Sequence, residues 1–358
     1  MKKAYTVTYC EWSSFGSILQ SLGLQKTLSK LGVEGRILKD TNQPDNKYKS
    51  TPLKSINPKA ILIWFFKHLI KNKTKKTYND NLVFMQDNIK IEYAGSYENI
   101  LSNPPKANFF IAGSDQIWHP DLCKPLFFLD FVRDKTPRIS YAASMGKTTV
   151  SENKEPVFSK LIKNFDSISV RESDTAPIIS SYCNKEKNVN IDPTFLLSAE
   201  EWRKYQSEYK IKEPYILVYS IYWNSSLNKQ LKDLSKKTGL KIYSISSGLD
   251  KVYANKKLYD VNVAEFLWLI DNAQYVITSS FHGVAFSTIF NKHFSAVINP
   301  QLPSRIKSLT DLLSIPIIDI SQLAEKSETF DYKTINKNIE YEKIKSIEYL
   351  SKELHIEE

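Results

Sequence analysis

Only three cysteines occur in the 358 residues, Cys10, Cys123 and Cys183, far apart and without Cys-x-x-Cys spacing. That count excludes both a disulfide framework and a cysteine-built zinc site. Also missing are a Gly-x-x-x-x-Gly-Lys-Ser/Thr loop, a well-placed Gly-x-Gly-x-x-Gly and a His-Glu-x-x-His pair. ATPase, dinucleotide oxidoreductase and zincin classes therefore have no support. No Asp-x-Asp pair follows a strand pattern to hold a divalent ion, so a metal-free mechanism is expected. Nor is there an apolar run of the roughly 20 residues that a bilayer span needs. The opening Met1-Lys2-Lys3-Ala4-Tyr5-Thr6-Val7 lacks the apolar core and cleavage site of a secretory signal, so a reducing cytoplasm is the expected compartment.

What is present is ordinary for a globular protein: 42% hydrophobic and 25% charged residues. A chain of this length exceeds one comfortable core and predicts two domains with a cleft between them. The formal charge of +10 admits three readings: nucleic acid, an anionic membrane surface, or a lysine-rich composition with no binding role. The lysines are scattered and no basic stripe interleaves with base-stacking aromatics, so nucleic acid is not the expected partner.

Tyr5 to Tyr9 reads as a strand, followed by a turn with Ser13, Ser14 and Gly16 and an amphipathic helix through Ile18, Leu19, Leu22, Leu28 and Leu31 that stops at Gly32. Asn108–Ala112, Arg138–Ala142 and Ser167–Val170 are further short strands separated by helix-length segments, the spacing of a parallel sheet with crossover helices. The polar segment Gln206 to Pro214 marks a boundary. A second series follows, with strands at Tyr215–Ser220, Lys241–Ser246, Tyr275–Thr278 and Phe294–Ile298 and helices at Leu227–Thr238, Val263–Ala273 and His282–Phe290. The expected fold is α/β, with two Rossmann-like domains facing across a cleft, residues 1–205 and 215–330. Residues 331–358 carry isoleucines and leucines at three-to-four spacing, a helix positioned to pack back across both domains. The run Ala60 to Phe66 with Lys71, Lys73, Lys75 and Lys76 behind it is read as a buried helix in preference to an interfacial one resting on an anionic inner leaflet.

Thr278-Ser279-Ser280-Phe281-His282-Gly283 is the most informative segment, because an apolar strand gives way there to a helix start. Serine is a natural N-cap, and the unpaired amides of a helix N-terminus attract an anion beyond the carboxyl end of a strand. Gly283 would let the backbone approach that anion. His282 stands beside it, able to move a proton near neutral pH, unless it merely caps the helix. Gly113, Ser114 and Asp115 repeat the pattern after an earlier strand, Asp115 serving either as a base or sugar-hydroxyl partner or as an N-cap. Gly16 and Ser17 form a comparable loop after the first strand. Arg171 either takes a carboxylate or phosphate with its planar fork or pairs with Glu172. Arg305, ahead of the helix Ile306–Leu313, is a weaker candidate of the same kind.

Taken together, Gly113-Ser114-Asp115-Gln116-Ile117-Trp118, Ser140-Tyr141-Ala142-Ala143-Ser144-Met145-Gly146, Ser169-Val170-Arg171-Glu172, Asp192-Pro193-Thr194 and Ser279-Ser280-Phe281-His282-Gly283 resemble the polysaccharide pyruvyl transferase family. Phe15-Gly16-Ser17-Ile18-Leu19-Gln20 is similar to that family's opening loop, with phenylalanine where tyrosine is common. The resemblance implies a GT-B-like fold and transfer of pyruvyl from phosphoenolpyruvate to two hydroxyls of one sugar, forming a cyclic ketal with no further cofactor. It implies His282 as the acid, Arg171 gripping the donor, amides near Gly283 holding phosphate and Asp115 orienting the acceptor. That acceptor would be a sugar or lipid-linked oligosaccharide in a bacterial-type surface polysaccharide precursor; separately, the basic charge leaves room for peripheral contact with the inner membrane face. A nucleotide-sugar glycosyltransferase of the same architecture and a non-catalytic binder of anionic glycan or nucleic acid remain as alternatives.

Overall fold

Short runs of β-branched and aromatic residues with no polar alternation, such as Phe109-Phe110-Ile111-Ala112 and Tyr215-Ile216-Leu217-Val218, form strands buried at every one of these positions, as strands covered on both faces are. A computed structural model describes residues 1–40, 58–183, 185, 187–220, 225–246, 251–298, 304–326 and 329–356, the side chains of 58–71, 187, 225 and 304 excepted. The first half is β1 (Lys2–Val7), α1 (Phe15–Lys30), β2 (Val33–Lys39), α2 (Pro58–Asn88), β3 (Ile91–Tyr93), α3 (Tyr97–Ser102), β4 (Phe109–Ala112), β5 (Arg138–Ser140), α4 (Glu155–Ile162), β6 (Ile168–Val170), α5 (Ala176–Tyr182), β7 (Lys187–Val189) and α6 (Ala199–Arg203). Its strands lie in the order β3-β2-β1-β4-β5, all parallel, and bridges at Ile139–Ser167 and Ala143–Val170 carry the sheet on to the β6–β7 pair.

The second half repeats the plan with β8 (Tyr215–Tyr219), α7 (Ser225–Thr238), β9 (Lys241–Ile245), β10 (Lys256–Leu258), α8 (Val263–Asn272), β11 (Tyr275–Thr278), α9 (Phe281–Ile289), β12 (His293–Ala296) and α10 (Ser304–Leu313). Its order is β10-β9-β8-β11-β12, again parallel throughout. In both sheets the order reverses beside the first strand, between β1 and β4 and between β8 and β11. Those two reversals are where an open α/β sheet leaves a crevice at its carboxyl edge.

Helix α1 is buried from Phe15 through Gln25, including its polar positions, because it is packed from both sides. Phe15 stacks on Phe266 of α8 at 4.7 Å, so the first helix of one domain lies against the other domain. The last helix, α11 (Tyr332–Glu353), ties the domains from behind. Near its start Asn338 donates to Leu313 O at 3.1 Å, and towards its end Tyr349 donates to Ser140 O at 2.9 Å while Ser346 Oγ accepts from Ile191 N at 3.1 Å.

Some elements differ from the sequence expectation. β2 was not anticipated, since Glu34, Gly35 and Arg36 interrupt its apolar pattern, and β1 begins at Lys2, ahead of the expected Tyr5. The Ala60–Phe66 run falls within the backbone of α2, but its side chains lie outside the described residues, as does any choice between core and membrane contact. Among the described residues no helix is long and apolar enough to cross a membrane.

Candidate active site

The junction from β11 to α9 is built by short polar side chains. Thr278 Oγ1 donates to Tyr219 O at 2.6 Å and accepts from Ser280 N at 3.1 Å, and Ser280 caps the helix by accepting from Gly283 N at 3.4 Å. Ser279 Oγ lies 3.0 Å from Ser220 Oγ, joining the ends of β11 and β8. A Cβ on Gly283 would sit 2.1 Å from Thr278 Oγ1. The threonine beneath the first turn is therefore a packing reason for glycine at this position, separate from the close approach to an anion expected from the sequence.

His282 projects from that turn against the other domain. A Cβ on Gly16 would lie 2.0 Å from its Nδ1, so the start of α1 covers the imidazole with no room for a side chain. Ser17, the neighbour of Gly16, is committed to the loop: its Oγ accepts from Glu11 N at 2.9 Å and its amide donates to the N-cap Ser14 at 3.3 Å. The other ring nitrogen of His282, Nε2, stands 3.8 Å from Asp192 Oδ2, too long for a hydrogen bond. It finds no hydrogen-bond partner among the described residues. Burial pushes the His282 pKa below its ordinary value; Asp192 and then Asp115 pull it up, while Arg171 and Arg305 add to the depression. Burial outweighs the two carboxylates, so the neutral ring is favoured.

After β4 the chain turns at Gly113, where a Cβ would come within 2.9 Å of both Thr6 and Thr8 on β1 and its continuation. Ser114 Oγ donates to Asp192 Oδ2 at 3.1 Å. Asp115 adopts a left-handed backbone, φ 73°, uncommon for a side-chain-bearing residue, and its Oδ1 accepts from Gln116 N at 2.8 Å. No helix opens there, so the N-cap alternative for Asp115 does not apply.

Arg171 follows β6 and is almost fully buried. Its Nε donates to Glu172 Oε1 and its Nη1 to Asp192 Oδ2, each at 2.9 Å, and its guanidinium carbon lies 3.9 Å from the centre of the Phe281 ring. Burial opposes its charge, but Glu172 and then Asp192 outweigh burial and hold its pKa above the ordinary value. The ion pair with Glu172 is thus formed and engages Nε, Asp192 engages Nη1, and of the guanidinium nitrogens Nη2 lacks a partner among the described residues. Arg305, in the first turn of α10, has a buried Nε in the same condition. Its two terminal nitrogens donate to Gln116 when that carboxamide is turned with Oε1 towards them, Nη2 at 3.3 Å. Burial, reinforced by Arg171, lowers its pKa. Arg171, Asp192, Phe281 and Arg305 line one small cavity with Glu172 and Leu309.

A family model described as polysaccharide pyruvyl transferase matches residues 15–300. The chain belongs to that family. The match encloses every pyruvyl transferase candidate residue named above except Arg305. A search of curated proteins returns no match. Among solved structures, UDP-GlcNAc 2-epimerase from Neisseria meningitidis bound to UDP-GlcNAc superposes with a TM-score of 0.53 at 10% identity, covering 98% of this chain and 99% of that one. The MnaA–UDP structure from S. aureus gives 0.54 at 11% identity, covering 100% and 98%. At such identities the likeness is one of fold: this member of the pyruvyl transferase family has a GT-B-like architecture.

Three residues of the cluster had no role in the sequence reading. Asp192 was visible only as part of Asp192-Pro193-Thr194, yet it accepts from Ser114, Arg171, Thr194 N at 3.0 Å and Thr194 Oγ1 at 2.9 Å. A carboxylate directly before Pro-Thr at the end of a strand was the available signal. Gln116 and Phe281 gave none beyond their places in the motifs, since each acts on an arginine brought in by tertiary structure.

Proposed function

We propose that the chain transfers a pyruvyl group from phosphoenolpyruvate to two hydroxyls of a sugar, forming a ketal and releasing phosphate. The observation that carries this reading is that Arg171 Nη2, Arg305 Nε and His282 Nε2 are buried nitrogens without partners among the described residues, the two arginines lining one cavity and His282 standing 3.8 Å from the Asp192 carboxylate that Arg171 holds. Buried polar groups are normally paired, so such a cluster is suited to an anion rich in oxygens. Family membership supplies the chemistry to try first.

In this mechanism His282 protonates the methylene carbon of the donor, leaving positive charge at the central carbon. One sugar hydroxyl adds there and loses its proton; the carbon–oxygen bond to phosphate then breaks, and the second hydroxyl closes the ketal. One hydroxyl proton restores the acid and the other leaves with phosphate as hydrogen phosphate. Arg305 and Arg171 Nη2 hold the donor's anionic ends, and Asp115, at the turn after β4, orients the acceptor. The two guanidiniums already face Asp115, Glu172 and Asp192, so a trianionic donor enters most readily with a proton on His282. The acceptor is a sugar or lipid-linked oligosaccharide, and the charge of +10 suits work at an anionic inner membrane surface.

The test is phosphate release from phosphoenolpyruvate with a panel of sugar nucleotides and lipid-linked oligosaccharides. Release that depends on an acceptor, with a ketal in the product's mass, supports the reading. Consumption of a nucleotide sugar without phosphoenolpyruvate would replace it with glycosyl transfer.

A further inference from the structure

We propose that Asp192 is a positioning residue that couples the donor-side arginine to the imidazole, presenting one carboxylate oxygen to both Arg171 Nη1 and His282 Nε2. The inference rests on the assignment of His282 as the donor-site acid. The Asp192 carboxylate cannot turn: Oδ1 takes two bonds from Thr194, in the tight turn Pro193–Leu196, while Oδ2 takes Ser114 at 3.1 Å and Arg171 at 2.9 Å. Those four donors fill the carboxylate's acceptor sites. His282, at 3.8 Å, therefore receives from Asp192 a charge and not a hydrogen bond. Both groups are buried, so water does little to dilute that charge.

How much of it reaches His282 depends on Arg171, the cation that shares Oδ2. Arg171 also holds Glu172 and keeps Nη2 unpaired. An anion that engages Nη2 draws on the guanidinium's charge, leaves Asp192 less neutralised and so favours a proton on His282. The remaining charged groups facing the ring are Asp115, which favours the proton, and Arg305, which opposes it. An anion on Arg305 acts in the same direction. Filling the donor site thus charges the acid, and the empty site keeps it neutral. The proton comes from solvent and goes onto the imidazole, with no other bond made or broken.

The experiment is a titration of the histidine-labelled full chain by NMR, with His282 identified among the five histidines as the signal lost in His282→Gln. A nearby opposite charge accounts for about 1–3 pH units, so Asp192→Asn is expected to lower the His282 midpoint by about one unit or more. Ser114→Ala removes a donor from Oδ2 and is expected to raise it. Saturating phosphoenolpyruvate should raise the midpoint in the unmodified chain, and by less in Asp192→Asn. An unchanged midpoint in a folded Asp192→Asn chain overturns the coupling. If that variant does not fold, Ser114→Ala decides, and an unmoved midpoint there overturns it equally. Turnover is not needed for any of these readings: shifts as expected without phosphate release sink the proposed reaction alone, and phosphate release without the shifts sinks only the coupling.

Discussion

Gly16 and His282 come from different domains and occupy space that admits no additional carbon between them. Gly16→Ala is therefore an overpacking change at the interface, costing about 1–3 kcal/mol, and it also turns the imidazole. Because small displacements of a reacting group are expensive, transfer should fall by roughly 10²-fold, more than the modest drop in melting temperature suggests. Circular dichroism and a phosphate-release assay on one preparation separate the two effects. His282→Ala removes the proposed acid without adding volume; the expected loss is about 10³-fold or more with the fold kept, and near-normal turnover would refute the assignment. The depressed pKa of His282 also fixes a sign. A group whose folded-state pKa lies below its unfolded value gives stability that is complete above about pH 6.5 and is lost as pH falls through the folded-state value. His119 and His293 are depressed by burial too and act in the same direction. Thermal unfolding between pH 7 and about pH 5 should accordingly show a shallower acid loss in His282→Gln than in the unmodified chain.

Elements differed in how plainly the sequence announced them, and the reason is local. The β11–α9 junction was legible because every part of it is contiguous: an apolar strand, a serine cap and a glycine three residues on. α8 and α6 likewise carry their own capping boxes, Asn262 with Glu265 and Ser198 with Glu201. β10 was not legible, because Lys256-Lys257-Leu258 is an edge strand whose lysines are compatible with exposure and contrary to strand propensity. Of the candidate site, His282 and Arg171 could be named from their motifs. Their meeting through Asp192 could not, since it needs β6, β7 and α9 in register. α11 shows the same limit from the other side: its periodicity gave a helix, while its seating depends on bonds to distant carbonyls and amides. Tyr349→Phe removes the bond to Ser140 O and leaves a buried acceptor, so it should lower stability by about 1 kcal/mol. The Michaelis constant for phosphoenolpyruvate should stay the same, because β5 is buttressed from behind and does not itself reach His282. A changed constant would mean that α11 sets the distance between the domains.

The two sheets are built as separate Rossmann-like units, yet one apolar core runs through both. Ile18, Leu19 and Leu22 of α1 belong to the same buried cluster as Phe266 of α8 and Phe286 of α9. Asn81 of α2 adds a polar tie, donating to Trp12 O and accepting from Val263 N, each at 2.8 Å. Domains that move freely usually share smaller and more polar interfaces. The molecule should consequently unfold in one calorimetric transition, and two resolved transitions would show that the shared core does not couple the halves. That unity gives ligand binding a clean readout. A donor held by Arg171, Arg305 and His282 touches both domains at once, so it stabilises the whole molecule. At about 100 times its dissociation constant it should add about 2.7 kcal/mol, which for a chain of this length is an upward shift of about 4 °C in the single transition. Phosphoenolpyruvate should produce that shift and UDP, GDP or CMP sugars should not. The reverse pattern would assign the crevice to a nucleotide-sugar donor. The shift from phosphoenolpyruvate should also diminish as pH rises above neutrality, because the proposed binding takes up a proton on His282 and a more alkaline solution makes that proton harder to acquire.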